Sequence, residues 1–127
     1  MSRANVSVVD DDPSMARMLC RALSAEGFDV RSFRSAEEFL ESGRFEDNDC
    51  LILDVNLPGL SGVDLYQHLN DAGVEMPVIF VSAQTDESLR QRALDAGAAA
   101  FFHKPLSIES LLGSIRSVVA LSLLKHA

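Results

Sequence analysis

The 127-residue chain has no tryptophan, one tyrosine and two cysteines, and its 11 lysines and arginines are outnumbered by 19 aspartates and glutamates. Each shortage excludes something. A net charge of -8 leaves too few cations to neutralise a phosphate backbone, so no direct nucleic-acid binding is expected of this chain. Cys20 and Cys50 stand in separate apolar stretches without CxxC spacing, which argues against a disulfide framework or a zinc site. They read as small buried hydrophobes in a reducing, cytoplasmic setting. No apolar run reaches the length of a membrane span, and the opening "MSRANVSVVD" lacks the core of a signal peptide. With only 4 prolines and 7 glycines and a 47% hydrophobic content, the composition is that of one compact domain.

What is present is an alternation. Strand-like "NVSVVD" (5–10), "FDVRSF" (28–33), "DCLILDV" (49–55), "PVIFVSA" (77–83) and "AAAFFHK" (98–104) are each followed by a helix-like segment. After the first, Met15, Met18, Leu19, Ala22 and Leu23 recur at helical spacing, and Gly27 is placed to end the helix. "SAEEFLESG" carries Ser35 and Glu38 at capping-box spacing and stops at a glycine. Strands without internal alternation, such as "CLILD", are expected to be covered on both faces. Five strand–helix repeats of this kind predict an α/β fold, a (βα)5 doubly wound five-stranded parallel sheet. Residues 1–122 are expected to form the domain, with 123–127 as a tail or the stub of a linker.

In such sheets ligands bind where strands end, near the point at which strand order reverses. The strand exits carry chemistry. The first ends in Asp10, Asp11 and Asp12, the third in Asp54, the fourth in Ser82 and the fifth in Lys104 before Pro105. Asp12 has a local role available, capping a helix whose first residue is Pro13. Asp10 and Asp11 have none. With Asp54 they make an oxygen donor set suited to a hard cation such as Mg²⁺. Lys104 could be a counter-ion to these acids, fixed in direction by a tight and even cis turn at Pro105. A carboxylate, a cation site, a hydroxyl and a lysine are also the parts that phosphoryl transfer needs. Alternation along the fifth strand should point His103 away from Lys104.

The segments "VVDDD", "LILDVNLPGLSG", "VIFVSA" and "FFHKP", in this order over the whole chain, resemble the receiver domain of two-component response regulators. The phrases "SFRSAEEFLESG" and "AGAAAFFHKP" are most like receivers attached to LuxR-type outputs, as in nitrogen-fixation regulators. The resemblance implies a flavodoxin-like strand order of 2-1-3-4-5. It implies that Asp54 accepts a phosphoryl group from the phosphohistidine of a sensor histidine kinase or phosphotransfer protein. Asp11, Asp54 and the carbonyl of Asn56 would then hold Mg²⁺ directly, and Asp10 would act through a metal-bound water. Ser82 and Lys104 would contact the phosphoryl oxygens. Phe101 falls at the position of an aromatic switch partnered by Ser82, although its pattern equally fits core beside Phe102. Asn56 and Gln84 fall where the family tunes phosphoryl lifetime. The resemblance further implies Mg²⁺-dependent self-phosphorylation and autodephosphorylation rather than a conventional enzyme activity. By the same resemblance, the surface over 86–103 would mediate a phosphorylation-dependent homodimer or bind an output domain. The chain would end either in the stub of a linker to a C-terminal DNA-binding output domain or as a stand-alone receiver does.

Three rivals meet specific obstacles. An aspartyl-phosphate hydrolase of the haloacid-dehalogenase class wants a second acid where this chain has Asn56. A flavin carrier wants a Ser/Thr/Gly-rich phosphate loop where this chain has "DDDPS". A receiver-like interaction module that is never phosphorylated has no reason to keep all the site residues.

Overall fold

The computed structural model describes residues 4–43, 48–83 and 87–125. The elements alternate throughout: β1 (Asn5–Val9), α1 (Pro13–Ala25), β2 (Asp29–Phe33), α2 (Ala36–Ser42), β3 (Cys50–Asp54), α3 (Gly62–Asp71), β4 (Val78–Ser82), α4 (Glu87–Asp95), β5 (Ala100–His103) and α5 (Ile108–Lys125). All four strand pairings are parallel, and the sheet order is β2-β1-β3-β4-β5. This is the doubly wound, flavodoxin-like architecture expected from the alternation and the resemblance. β5 is shorter than its sequence pattern suggests. Ala98 N–H turns back to the Ala93 carbonyl and closes the turn after α4, and Ala99 N–H then makes the first bond across to the Val78 carbonyl of β4, so the strand begins at Ala100.

The continuous apolar strands divide their side chains between two cores. Leu51 and Leu53 of β3 pack with Phe39, Leu65, Leu69, Phe80 and Ala93 under α2, α3 and α4. Their neighbours Cys50 and Ile52 pack with Leu19, Leu23, Leu111 and Ile115 under α1 and α5. Period-two alternation thus feeds both layers from one strand. β2, at the edge, exposes Asp29, Arg31 and Ser32, matching its mixed sequence. Cys50 is fully buried, and burial together with nearby Asp49 pushes its thiol up to about 12. Cys20 is only partly buried, on α1, and so differs from the expectation that both cysteines are core.

Local signals account for the helix starts that frame the sheet's C-terminal edge. Asp12 caps α1 by accepting Ser14 N–H at 2.9 Å, with Pro13 in the first turn. Ser35 caps α2 by accepting Glu38 N–H at 3.0 Å, and Glu38 reaches back to the N–H of Arg34 rather than to that of Ser35. Ser61 caps α3, and there the chain passes so close to β3 that a Cβ on Gly62 would lie 2.2 Å from the Asp54 carbonyl oxygen. The obstructing atom is backbone, so it cannot swing aside. Gly62→Ala is therefore expected to lower unfolding free energy by ~1–3 kcal/mol through overpacking. Urea denaturation monitored by circular dichroism measures this, and an unchanged midpoint would refute the close-approach account.

Candidate acidic pocket at the sheet's C-terminal edge

Strand order reverses between β1 and β3, and the crevice between their exits is where the acids meet. Asp10 follows β1 directly, and its N–H donates to Phe33 at the end of β2. Asp54 is the last residue of β3. Both carboxylates are nearly inaccessible, at 4% and 5% exposure, whereas Asp11 is exposed. Carboxylate oxygens of Asp10, Asp11 and Asp54 lie within 4.8 Å of one another.

The two buried carboxylates are held in the same way. Asp10 Oδ1 accepts Asp12 N–H at 2.9 Å and Asp54 Oδ1 accepts Asn56 N–H at 3.0 Å, each a bond to the backbone two residues on. The remaining oxygens converge on one ammonium: Lys104 Nζ donates to Asp10 Oδ2 and to Asp54 Oδ2, each at 3.1 Å. Lys104 is brought there by the end of β5, its N–H donating to the Ser82 carbonyl at 2.8 Å, and the Lys104–Pro105 bond is cis. Ser82 closes β4 and is fully buried. Residues 10, 11, 54, 82 and 104 are thus gathered along one edge of the sheet.

Electrostatics follow from this geometry. Burial raises the Asp54 carboxyl above the usual carboxylate range, and the charge of Asp10 adds to the rise. The Asn56 N–H and the Lys104 ammonium pull the other way without cancelling it. For Lys104 the largest single influence, burial, acts to lower its pKa. The carboxylates of Asp54 and Asp10 together outweigh it, so the ammonium titrates above its ordinary value. Three carboxylates against one ammonium leave two negative charges in the pocket, which matches the charge of a divalent cation. The donors are hard oxygens with an exposed member, as a partly hydrated Mg²⁺ would need. The residues fit such an ion.

The remaining expected residues sit around this centre. Asn56 is exposed in the loop following β3. Phe101, on β5, is half-buried, with its ring 6.3 Å from that of Phe80 and 5.5 Å from that of His103. His103 is exposed and lies edge-on to Phe101. Gln84 lies outside the described residues. One residue with a position near the site escaped the sequence reading: Glu37 in the first turn of α2, whose carboxylate accepts the N–H of Leu60 at 2.8 Å. Its neighbour Glu38 carried the recognisable capping signal, and no local pattern marks a bond across 23 residues.

A doubly wound α/β domain with a lysine-bridged acidic pocket at its switch point is the class that these features define. The response regulator receiver domain family matches residues 6–116, and the chain belongs to that family. Response regulator protein TodT of Pseudomonas putida is 37% identical over 117 residues, which make up 92% of this chain and 52% of TodT. Transcriptional regulatory protein FixJ of Azorhizobium caulinodans is 35% identical over 112 residues, 88% of this chain and 53% of FixJ. Among solved structures, response regulator StyR superposes with a TM-score of 0.90 at 36% identity, covering 98% of this chain and 63% of StyR. FixJ-N gives 0.85 at 30% identity, covering 94% of this chain and 96% of the other. The chain spans about half the length of the curated relatives it matches. Among the described residues no helix is long and apolar enough to cross a membrane.

The raised Asp54 carboxyl has a consequence for stability. A carboxyl whose folded-state pKa lies above its unfolded value (~3.9) favours folding while protonated, and that contribution is lost as pH rises through the folded pKa. Ionised Asp54 therefore costs the fold stability at neutral pH. Asp54→Asn should melt at or above the wild-type temperature at pH 7 without divalent cations, with the difference shrinking toward pH ~4. Thermal melts across that range test it, and a variant markedly less stable at pH 7 would contradict the assignment.

Proposed function

We propose that this chain is a phosphoacceptor switch, in which Asp54 receives a phosphoryl group from a phosphohistidine on a sensor histidine kinase or phosphotransfer protein. The observation that carries the reading is the pair of buried carboxylates sharing one lysine at the sheet's reversal point, in a chain of the receiver family. Asp54 is assigned as the nucleophile by its place at the end of β3, the phosphoacceptor position that the receiver family implies. Asp10, held in the same way by one backbone N–H and Lys104, stands at the exit of β1 instead. Its oxygen forms a bond to phosphorus while the phosphorus–nitrogen bond breaks, and the electron pair leaves with the imidazole. Once that oxygen is esterified, its charge has moved onto the phosphoryl oxygens. Lys104 is then free to follow the charge, and the Ser82 hydroxyl can donate to another of those oxygens.

Asp10, Asp11 and Asp54, with the carbonyl of Asn56, are the residues that would hold Mg²⁺. Bound there, the cation would neutralise the charge that otherwise opposes a phosphate entering an acidic pocket. Asn56 and Gln84 hold the sequence positions at which the receiver family tunes phosphoryl lifetime, which supports that role for both. Movement of Ser82 toward the phosphoryl group would vacate space beside β4 for the ring of Phe101, altering the surface over 86–103 through which two copies associate. Residues 1–122 act as the receiver, and 123–127, into which α5 runs as far as Lys125, are a tail or the stub of a linker. The transcriptional name of the relative FixJ supports a DNA-binding output in the full-length protein, in a cytoplasmic signalling pathway. The rival reading, an interaction module that is never phosphorylated, has no observation of its own in its favour.

Intact mass after incubation with acetyl phosphate tests the proposal. One Mg²⁺-dependent phosphoryl adduct is expected on the wild-type chain and none on Asp54→Asn. Lys104→Ala should still take up some phosphoryl group while losing the accompanying change at Phe101, seen in the aromatic NMR resonances. An adduct that survives Asp54→Asn would sink the assignment of the acceptor.

A further inference from the structure

The loop from β3 to α3 carries Asn56 past the pocket, and its course is fixed at several points. Gly62 N–H donates to the Val55 carbonyl at 3.1 Å, closing its far end. Val55 and Leu57 are buried in the core under α2 to α4, on either side of exposed Asn56. The outer turn, from Pro58 to Leu60, has a tie of a different kind. Glu37 Oε1 reaches out of α2 to accept Leu60 N–H at 2.8 Å. A Cβ on Gly59 would lie 2.8 Å from that same oxygen, and Gly59 has φ +74, so a glycine is what lets the carboxylate approach this turn. The Leu60 N–H, and to a lesser degree backbone at the start of α2 and the Ser35 hydroxyl, hold the Glu37 carboxyl below its ordinary value although it is fully exposed.

An exposed hydrogen bond of this kind contributes little to global stability. It does decide where one turn of backbone sits. Resting on the phosphoacceptor reading above, we infer that Glu37 is a positioning residue: by holding the Gly59–Leu60 turn against α2 it sets the loop that presents Asn56 to the cation, and so tunes divalent-ion affinity. The effect passes through backbone, from Leu60 back to Asn56, and Glu37 itself touches neither ion nor phosphate.

Calorimetric titration of Mg²⁺ into the full chain, compared with Glu37→Ala and Glu37→Gln, tests this. Glu37→Ala is expected to weaken Mg²⁺ binding ~3–10-fold, at or below the range seen when outer-shell partners of a metal site are removed. Its melting temperature without Mg²⁺ should move by no more than ~4 °C. Glu37→Gln keeps an acceptor oxygen and should restore affinity to within ~2-fold, since the charge of an exposed side chain is largely screened by water and salt. Adduct formation from acetyl phosphate should slow in Glu37→Ala at limiting Mg²⁺ and recover at saturation. Unchanged Mg²⁺ affinity in Glu37→Ala, or equal weakening in both variants, overturns the inference. A wild-type chain that binds no Mg²⁺ overturns it together with the cation site, whereas Mg²⁺ binding without any adduct overturns only the phosphoacceptor reading.

Discussion

Lys104 holds Asp10 and Asp54 together across 94 and 50 positions of chain, and the pocket depends on that one ammonium. Two carboxylates this close and this buried would repel strongly without it; at an effective dielectric of ~20, like charges ~4 Å apart cost ~4 kcal/mol. The bridge leaves the site unbalanced rather than neutral, since Asp11 adds a third acid at the mouth. Such a site is stable enough to fold and still carries net charge with which to attract a cation. The backbone bonds to Asp10 Oδ1 and Asp54 Oδ1 orient both side chains so that their other oxygens face inward. The scaffold's part is to bring the ends of strands far apart in sequence to one edge, which the parallel order accomplishes by topology alone.

Much of this was legible before any coordinates, for identifiable reasons. Alternation of apolar runs with helical periodicity is a local signal, repeated five times, and five agreeing local signals leave few topologies. The strand-end acids and Lys104 stood out because charged residues directly behind buried strands are rarely explained by packing. What escaped is equally specific. The start of β5 is set by a turn bond from Ala98 to Ala93, which apolar composition does not distinguish from strand. Cys20 sits in an apolar sequence yet is only partly buried, because helix position decides exposure and residue type does not. Glu37 was hidden because its meaning depends on a loop folded back beside α2. Hydrophobic pattern reports which face of an element is inside, and it is silent on which polar groups meet across elements.

Similarity and geometry support each other here at different levels. Family membership rests on sequence and covers nearly the whole chain, from residue 6 to residue 116. The pocket rests on distances, and these gather Asp10, Asp11, Asp54 and Lys104 whatever the relatives. Around the same edge Glu38 reaches Arg34 and Glu37 reaches Leu60, bonds that neither the pocket distances nor the family match describes.

The sheet divides the interior into two cores that share strands but not side chains. Phe101 and Phe80 belong to the α2–α4 side, whereas Phe102, Val81 and the inner faces of α1 and α5 belong to the other. Any rearrangement that begins at Phe101 therefore meets only one of the two layers, while the opposite layer stays packed as a fixed wall. The volume that such a rearrangement has to repack is that of one layer, and the sheet itself marks its boundary.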